Sequence, residues 1–212
     1  MDAVYRTVER EASAEFVERR SRFLGAVCPV TSEAQAQEFI AARKKAHWDA
    51  THNVYAYVLR DGQIRRYSDD GEPQGTAGVP VLEVLLKEGL TDVAVVVTRY
   101  FGGVLLGAGG LVRAYSHGAK IAVDAGGPVE MRLCDRARIV CEYAQYGRVA
   151  SLVPEMGGVV TDTQYTDKVA VEFLLPRGLR EPMQKELTEV SAGTLSIEAI
   201  GEEYAPFRPD AP

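Results

Sequence analysis

Lysine, histidine, cysteine and tryptophan are scarce in this chain: six, three, three and one among 212 residues. The cysteines, Cys28, Cys134 and Cys141, form no C-x-x-C pair, so nothing suggests a zinc knuckle or a disulfide frame, and reduced thiols are expected. His47 and His52 are five apart, which puts the two imidazoles on different faces of any regular element and argues against a zinc pair. Basic charge is also short, with 24 Lys and Arg against 30 Asp and Glu for a net charge of −6. Residues 1–130 carry 15 basic and 17 acidic groups and residues 131–212 carry 9 and 13, so neither half holds polyanions unselectively. Any nucleic-acid contact must come from a local patch. Arginine outnumbers lysine 18 to 6, which fits either genome composition or bidentate anion recognition.

Long apolar runs are missing too. The longest, Gly102 to Val112, is far shorter than the ~20 residues of a membrane span and is broken by glycine. Charged Glu9, Arg10 and Glu11 come before any apolar stretch, so no signal-peptide core is visible and a cytoplasmic location is expected. What is present is ordinary globular composition, 46% hydrophobic and 25% charged, enough for one domain or two small ones.

Periodicity predicts an α+β chain. Residues 3–30 read as two strands joined by a turn near Ala12 to Ala14. Ser32 and Gln35 form a capping box that opens a helix to about Ala46. His52 to Leu59 is a central strand, and Asp61-Gly62 turns the chain back through Ile64 to Tyr67. The polar segment from Ser68 to Gly78 is a loop, followed by a helix through Val81, Leu82, Leu85 and Leu86 that Gly89 stops. Val93 to Val97 is a buried strand with Arg99 emerging at its end, and a third helix buries Leu111, Ala114, Tyr115, Gly118, Ala119 and Ala122. The breakers Gly126, Gly127 and Pro128 mark a boundary, giving domains at 1–128 and 129–203. Beyond it the order is βαββαβ, the ferredoxin-like pattern: strand Met131 to Glu142, helix Ala144 to Glu155, strands Val159 to Tyr165 and Val169 to Leu175, helix Arg180 to Ser191, and strand Leu195 to Ile200. Residues 204–212, rich in proline, are expected to be a mobile tail.

The segment most suggestive of chemistry is strand, glycine-rich loop, helix, because exposed amides and the helix dipole can converge on an anion. Its candidate residues are Arg99, Tyr100, Gly102, Gly103, Gly107, Gly109, Gly110 and Arg113, with the two arginines supplying charge-assisted forks. The spacing matches neither a Walker A loop nor a strict dinucleotide fingerprint. Two readings stay open: an anion site, or glycines that merely allow a tight turn and close helix–sheet packing. His52, Asp69, Asp70, Glu72 and Thr76 are placed as a supporting loop. Asp69-Asp70-Gly71-Glu72 could also hold magnesium, but an ordinary solvated turn is the better reading, so no metal and no cofactor are expected. His117 shares the polar helix face with Arg113 and Lys120, and neither a nucleophile elbow nor a catalytic triad is visible.

Ser68-Asp69-Asp70-Gly71-Glu72-Pro73, Gly75-Thr76-Ala77-Gly78, Val96 to Gly103, and Leu106 to Tyr115 together resemble the IMPACT (YigZ) family; Asp49-Ala50-Thr51-His52, Ser21-Arg22-Phe23 and Cys141-Glu142-Tyr143 add to the likeness. The resemblance implies an N-terminal α/β domain like domain IV of elongation factor G, of the ribosomal-protein βαβ type, and a C-terminal domain like domain V. It also implies a translation-linked role without an assigned reaction. Eukaryotic relatives restrain an amino-acid-starvation kinase by competing for its activating partner, but they carry a different accessory domain that is not visible here, so that activity is not carried over. The function expected is a non-enzymatic regulator binding RNA, the ribosome or another anionic partner. A phosphate-ligand enzyme, suggested by the related fold of small-molecule kinases, and a pure protein-interaction module are the alternatives.

Overall fold

The computed structural model describes residues 4–207. The chain forms two compact units, Tyr5–Glu130 and a second made by residues from Met131 onward with Val4. The first contains β1 (Val4–Val8) from Tyr5 on, β2 (Ala12–Glu18), β3 (Ser21–Pro29), α1 (Glu33–Ala46), β4 (His52–Val58), β5 (Arg65–Ser68), α2 (Gly78–Lys87), β6 (Val93–Tyr100) and α3 (Ala108–Gly126). Its sheet runs β2-β3-β6-β4-β5, with every neighbouring pair antiparallel.

The opening segment departs from expectation. It forms three strands rather than two, and the β2–β3 reversal is a two-residue turn at Arg19-Arg20, fixed by the pairing of Glu18 with Ser21. Both arginines take left-handed φ, 45° and 68°. Such turns normally announce themselves with Asn-Gly or Asp-Gly, so two arginines hid this one. The start of α1 is close to expectation: the Ser32 hydroxyl accepts from Gln35 N–H at 3.3 Å, whereas the Gln35 side chain reaches back to Thr31 N–H at 2.8 Å.

β6 lies at the centre of this sheet, and Val93 to Val97 are wholly buried. Each fully buried valine contributes about 1.5–3 kcal/mol. One face packs Val93, Val95 and Val97 into a core with Leu85, Tyr115 and Ala119; the other sets Ala94 and Val96 against Phe39 and Ile40. Strand period 2 therefore fills two separate layers from one apolar run.

Gly126 ends α3, and the next strand begins at Pro128. That strand is β7 (Pro128–Cys141), followed by α4 (Tyr143–Glu155), β8 (Val159–Tyr165), β9 (Val169–Pro176), α5 (Arg180–Val190) and β10 (Glu198–Phe207). The β-α-β-β-α-β order is as read from the sequence. In the sheet β9 lies between β7 and β8, and β10 pairs with β7. Ile139, Val149, Leu152, Val171, Phe173, Met183 and Leu187 form a core of their own.

The last strand runs later than expected, so residues 204–207 are strand rather than tail. Pro206 is tolerated because β7 is the neighbour of β10 and an edge strand can spare a ladder donor. Phe207 is anchored under the Arg132 guanidinium, 3.4 Å from its ring centroid. The rest of the expected tail, residues 208–212, lies outside the described residues. Among the described residues no helix is long and apolar enough to cross a membrane.

Candidate functional site

The segments read from sequence as a site meet at one end of the first unit's sheet. β6 delivers Arg99 and Tyr100 there, β4 begins there with His52 opposite Arg99, and β3 begins there at Ser21. The loop after β5 folds over this end. Arg99 has the same strand parity as Val93, Val95 and Val97, so its side chain enters the core face instead of emerging into water; the residue is 4% exposed. There its Nη1 donates to Glu72 Oε1 at 2.6 Å, and Glu72 is itself 8% exposed.

A polar network grows from that pair. Tyr115 donates its hydroxyl to the same carboxylate oxygen at 2.7 Å. Burial first, then the Glu72 charge, push the Tyr115 phenol far above its ordinary range, so it remains a neutral donor. Arg99 Nη2 donates to the Ser21 hydroxyl at 3.4 Å, which also accepts Gly102 N–H at 3.2 Å. The His52 Nδ1–H donates to the Asp70 carbonyl at 2.8 Å, leaving Nε2 3.7 Å from Glu72. The Arg99 charge is thus compensated inside the fold, and its expected part as an exposed anion fork is taken by Glu72. No strand pattern shows that partner, because it comes from a loop 27 residues away.

The acidic loop is likewise turned inward. Asp69 accepts three backbone amides, Gly75 at 2.9 Å, Ala77 at 3.1 Å and Gly78 at 2.7 Å, and so caps the start of α2. Asp70 accepts Asn53 N–H at 2.6 Å and pairs with Lys44 at 2.7 Å. The Thr76 hydroxyl donates to the Pro73 carbonyl. Among the described residues no group of three His, Cys, Asp or Glu side chains is arranged for a metal ion.

The glycines serve different ends. A Cβ on Gly102 would stand 2.1 Å from the Arg20 carbonyl, so this position lets the loop touch the hairpin tip. Gly103 needs left-handed backbone, with φ 81°. Gly107 is the N-cap of α3 and supplies no side-chain cap, while Gly109 and Gly110 lie in the exposed first turn. Two clefts flank this turn. One of about 410 Å3 has His52, Glu72 and Arg99 on its wall beside Phe101, Leu105 and Leu106. The other, about 530 Å3, opens between the β2–β3 tip and α3 and is lined by Arg19, Leu106, Gly110, Arg113 and His117. Arg113 is exposed there and has no ion pair among the described residues. The structure therefore brings Arg113 and Gly110 to one cleft with Arg19, while Arg99 lines the other.

Sequence reasoning missed the Tyr115 hydroxyl, Ser21 and the hairpin arginines. A tyrosine inside an otherwise apolar helix stripe was the available signal, since a buried hydroxyl requires a partner.

Residues 19–123 match the Impact N-terminal domain model, and residues 139–194 match a domain of unknown function (DUF1949). An IMPACT family member from Bacillus subtilis, YvyE, is 39% identical over 194 residues, covering 91% of this chain and 89% of that protein. The chain belongs to the IMPACT family. The family member YigZ from Escherichia coli is 33% identical, over 87% of this chain and 92% of its own length. The Xenopus laevis protein IMPACT is 38% identical over 96 residues, only 42% of this chain and 30% of that protein. A solved structure described as a hypothetical protein matches with a TM-score of 0.60 at 30% identity, covering 94% of this chain and 98% of that one. Family membership and the two antiparallel sheets with five helices agree with the sequence reading.

Proposed function

We propose that this chain is a non-enzymatic, translation-linked binding module that takes RNA phosphate at the first turn of α3. The observation that carries this reading is the 530 Å3 cleft that Arg19, Gly110, Arg113 and His117 line together, with Glu18, the partner of Arg19, as its one acidic residue. The opening of α3 lacks a side-chain cap; Gly110 of its first turn lines this cleft, while Gly107 and Ala108 line the neighbouring one, and the helix dipole favours negative charge at this end. The buried Arg99, Glu72, Tyr115 and Ser21 network holds the preceding loop in shape by gripping Gly102 from below. Burial raises the thiols of Cys134 and Cys141, which suits them poorly to nucleophilic work.

The translation link is what the family resemblance implies, and a cytoplasmic location is what the lack of a visible signal-peptide core suggests. In the same reading the domains divide near residue 129, and the C-terminal unit is a ferredoxin-like domain akin to domain V of elongation factor G. Its first strand, β7, pairing with both its third and its fourth supports that reading. The N-terminal unit is read as akin to domain IV.

Arg113→Gln is the test, because this side chain is exposed and supports no core group. Affinity for ribosomes and for oligoribonucleotides should fall, and the slope of log affinity against log salt should flatten by about one. Unchanged affinity and slope would place the site elsewhere. A second reading, a small-molecule enzyme, draws on the 410 Å3 cleft, where His52 is held in one tautomer by the Asp70 carbonyl. Loss of function on His52→Gln with RNA binding intact would favour it.

A further inference from the structure

We propose that the turn carrying Trp48, together with Phe101, is a stacking platform for the unpaired bases of an RNA strand whose phosphates reach α3, an inference that rests on the phosphate reading above. Trp48 is the chain's single tryptophan, yet it is 83% exposed, on a turn with no strand or helix to hide it. Phe101 and Leu105, on the neighbouring loop, are 46% and 81% exposed. These three large apolar side chains, on two adjoining loops at one end of the sheet, offer apolar surface to a partner.

This turn is held firmly. The Arg43 guanidinium lies 3.5 Å from His47 Nε2; His47 Nδ1–H donates to the Tyr100 hydroxyl at 3.0 Å, and that hydroxyl donates to Asp49 at 3.2 Å. Ala50 N–H and the Asn53 side chain both donate to the His47 carbonyl, so the residues on either side of Trp48 are fixed. Thr51 N–H bonds to the Arg99 carbonyl, and the Thr51 hydroxyl accepts Phe101 N–H at 3.1 Å. The two aromatic-bearing loops are therefore one hydrogen-bonded unit at the end of β6.

The charge around it supports a polyanion. α1 ends in Arg43, Lys44 and Lys45 immediately before the turn. Arg22 lies 5.0 Å over the Tyr100 ring, and Arg19 and Arg20 form the adjacent hairpin tip. The acidic groups facing this cluster are Asp49, Glu15 paired with Arg22, Glu18 paired with Arg19, and Asp70 paired with Lys44. Basic residues exceed acidic ones here, although the whole chain carries −6. Exposed aromatics among basic side chains are the pattern that grips single strands, since every base has a face to stack whatever its sequence. A duplex hides those faces.

The experiment titrates the full chain with oligouridylate and with a duplex RNA of equal length, reading tryptophan fluorescence and an independent binding signal. Oligouridylate should quench Trp48 and bind more tightly than the duplex. Trp48→Ala should weaken that binding roughly tenfold with an unchanged melting profile, while Trp48→Phe keeps most of the affinity. Wild-type affinity in Trp48→Ala, or equal binding of duplex without quenching, overturns the proposal. If Arg113→Gln weakens binding while Trp48→Ala does not, the phosphate reading stands and the stacking platform falls. If the wild-type chain binds neither RNA, both fall.

Discussion

Arg99 and Glu72 show how one residue's chemistry depends on what covers it. A buried ion pair is weak evidence of net stability, but removing one partner strands the other charge at a cost of about 3–5 kcal/mol. Arg99→Gln should therefore lower the urea midpoint sharply, and Arg99→Gln with Glu72→Gln should recover much of the loss. A single variant as stable as wild type would show that the pair is hydrated. His47 permits a pH prediction. Burial, then the Arg43 and Arg22 charges, hold its pKa below the ordinary value of 6.5. The unfolded chain then binds this proton at higher pH than the folded one, so stability falls as pH drops from about 6.5 to the lowered folded pKa and levels off below it. His47→Gln should flatten that part of the stability profile, measured as urea midpoint against pH.

At the scale of elements, the loop from Asp69 to Gly78 closes over the strand ends at the candidate site. Asp69 satisfies three amides at the start of α2 and fixes the backbone from which Glu72 reaches Arg99. Hydrogen bonds to a charged group contribute about 1.5–3 kcal/mol each when sheltered, less here because the loop is partly exposed. Asp69→Ala should cost about 2 kcal/mol by urea unfolding and should raise amide exchange from Gly75 to Gly78 first. Uniform exchange across the first unit would mean that the loop is not a separate element. The hairpin tip makes a related point: two arginines with left-handed φ store strain of about 1–3 kcal/mol each. That strain sits beside the cleft of Arg113.

For the whole molecule, each unit has its own core: one built mainly from β3, β4 and β6 with α1 to α3, and one from β7 and β9 with α4 and α5. Phe173 is buried in the second. Phe173→Ala should cost about 3–5 kcal/mol and should speed hydrogen exchange in β7 and β9 while β6 keeps its protection. Equal loss of protection in β6 would show that the two cores unfold as one. A net charge of −6 also works against RNA over long range, so binding is expected only where the local basic excess exceeds it.

The sequence alone determined the elements whose signal is periodic and local. The unbroken run Val93 to Val97, the stripe from Leu111 to Ala122 and the βαββαβ order all appear as read, because burial follows from period 2 or 3.6 whatever the partner. The family segments were legible in the same way. What only the tertiary structure decided is who meets whom. Arg99 reads as exposed until Glu72 arrives from a separate loop, Tyr115 reads as plain core until its hydroxyl finds that carboxylate, and Arg19 reads as strand until the hairpin turn puts it on the cleft that Arg113 also lines. Those pairings cost loop-closure entropy and are recovered only when the sheet, helices and loops pack together, so no window of the sequence contains them.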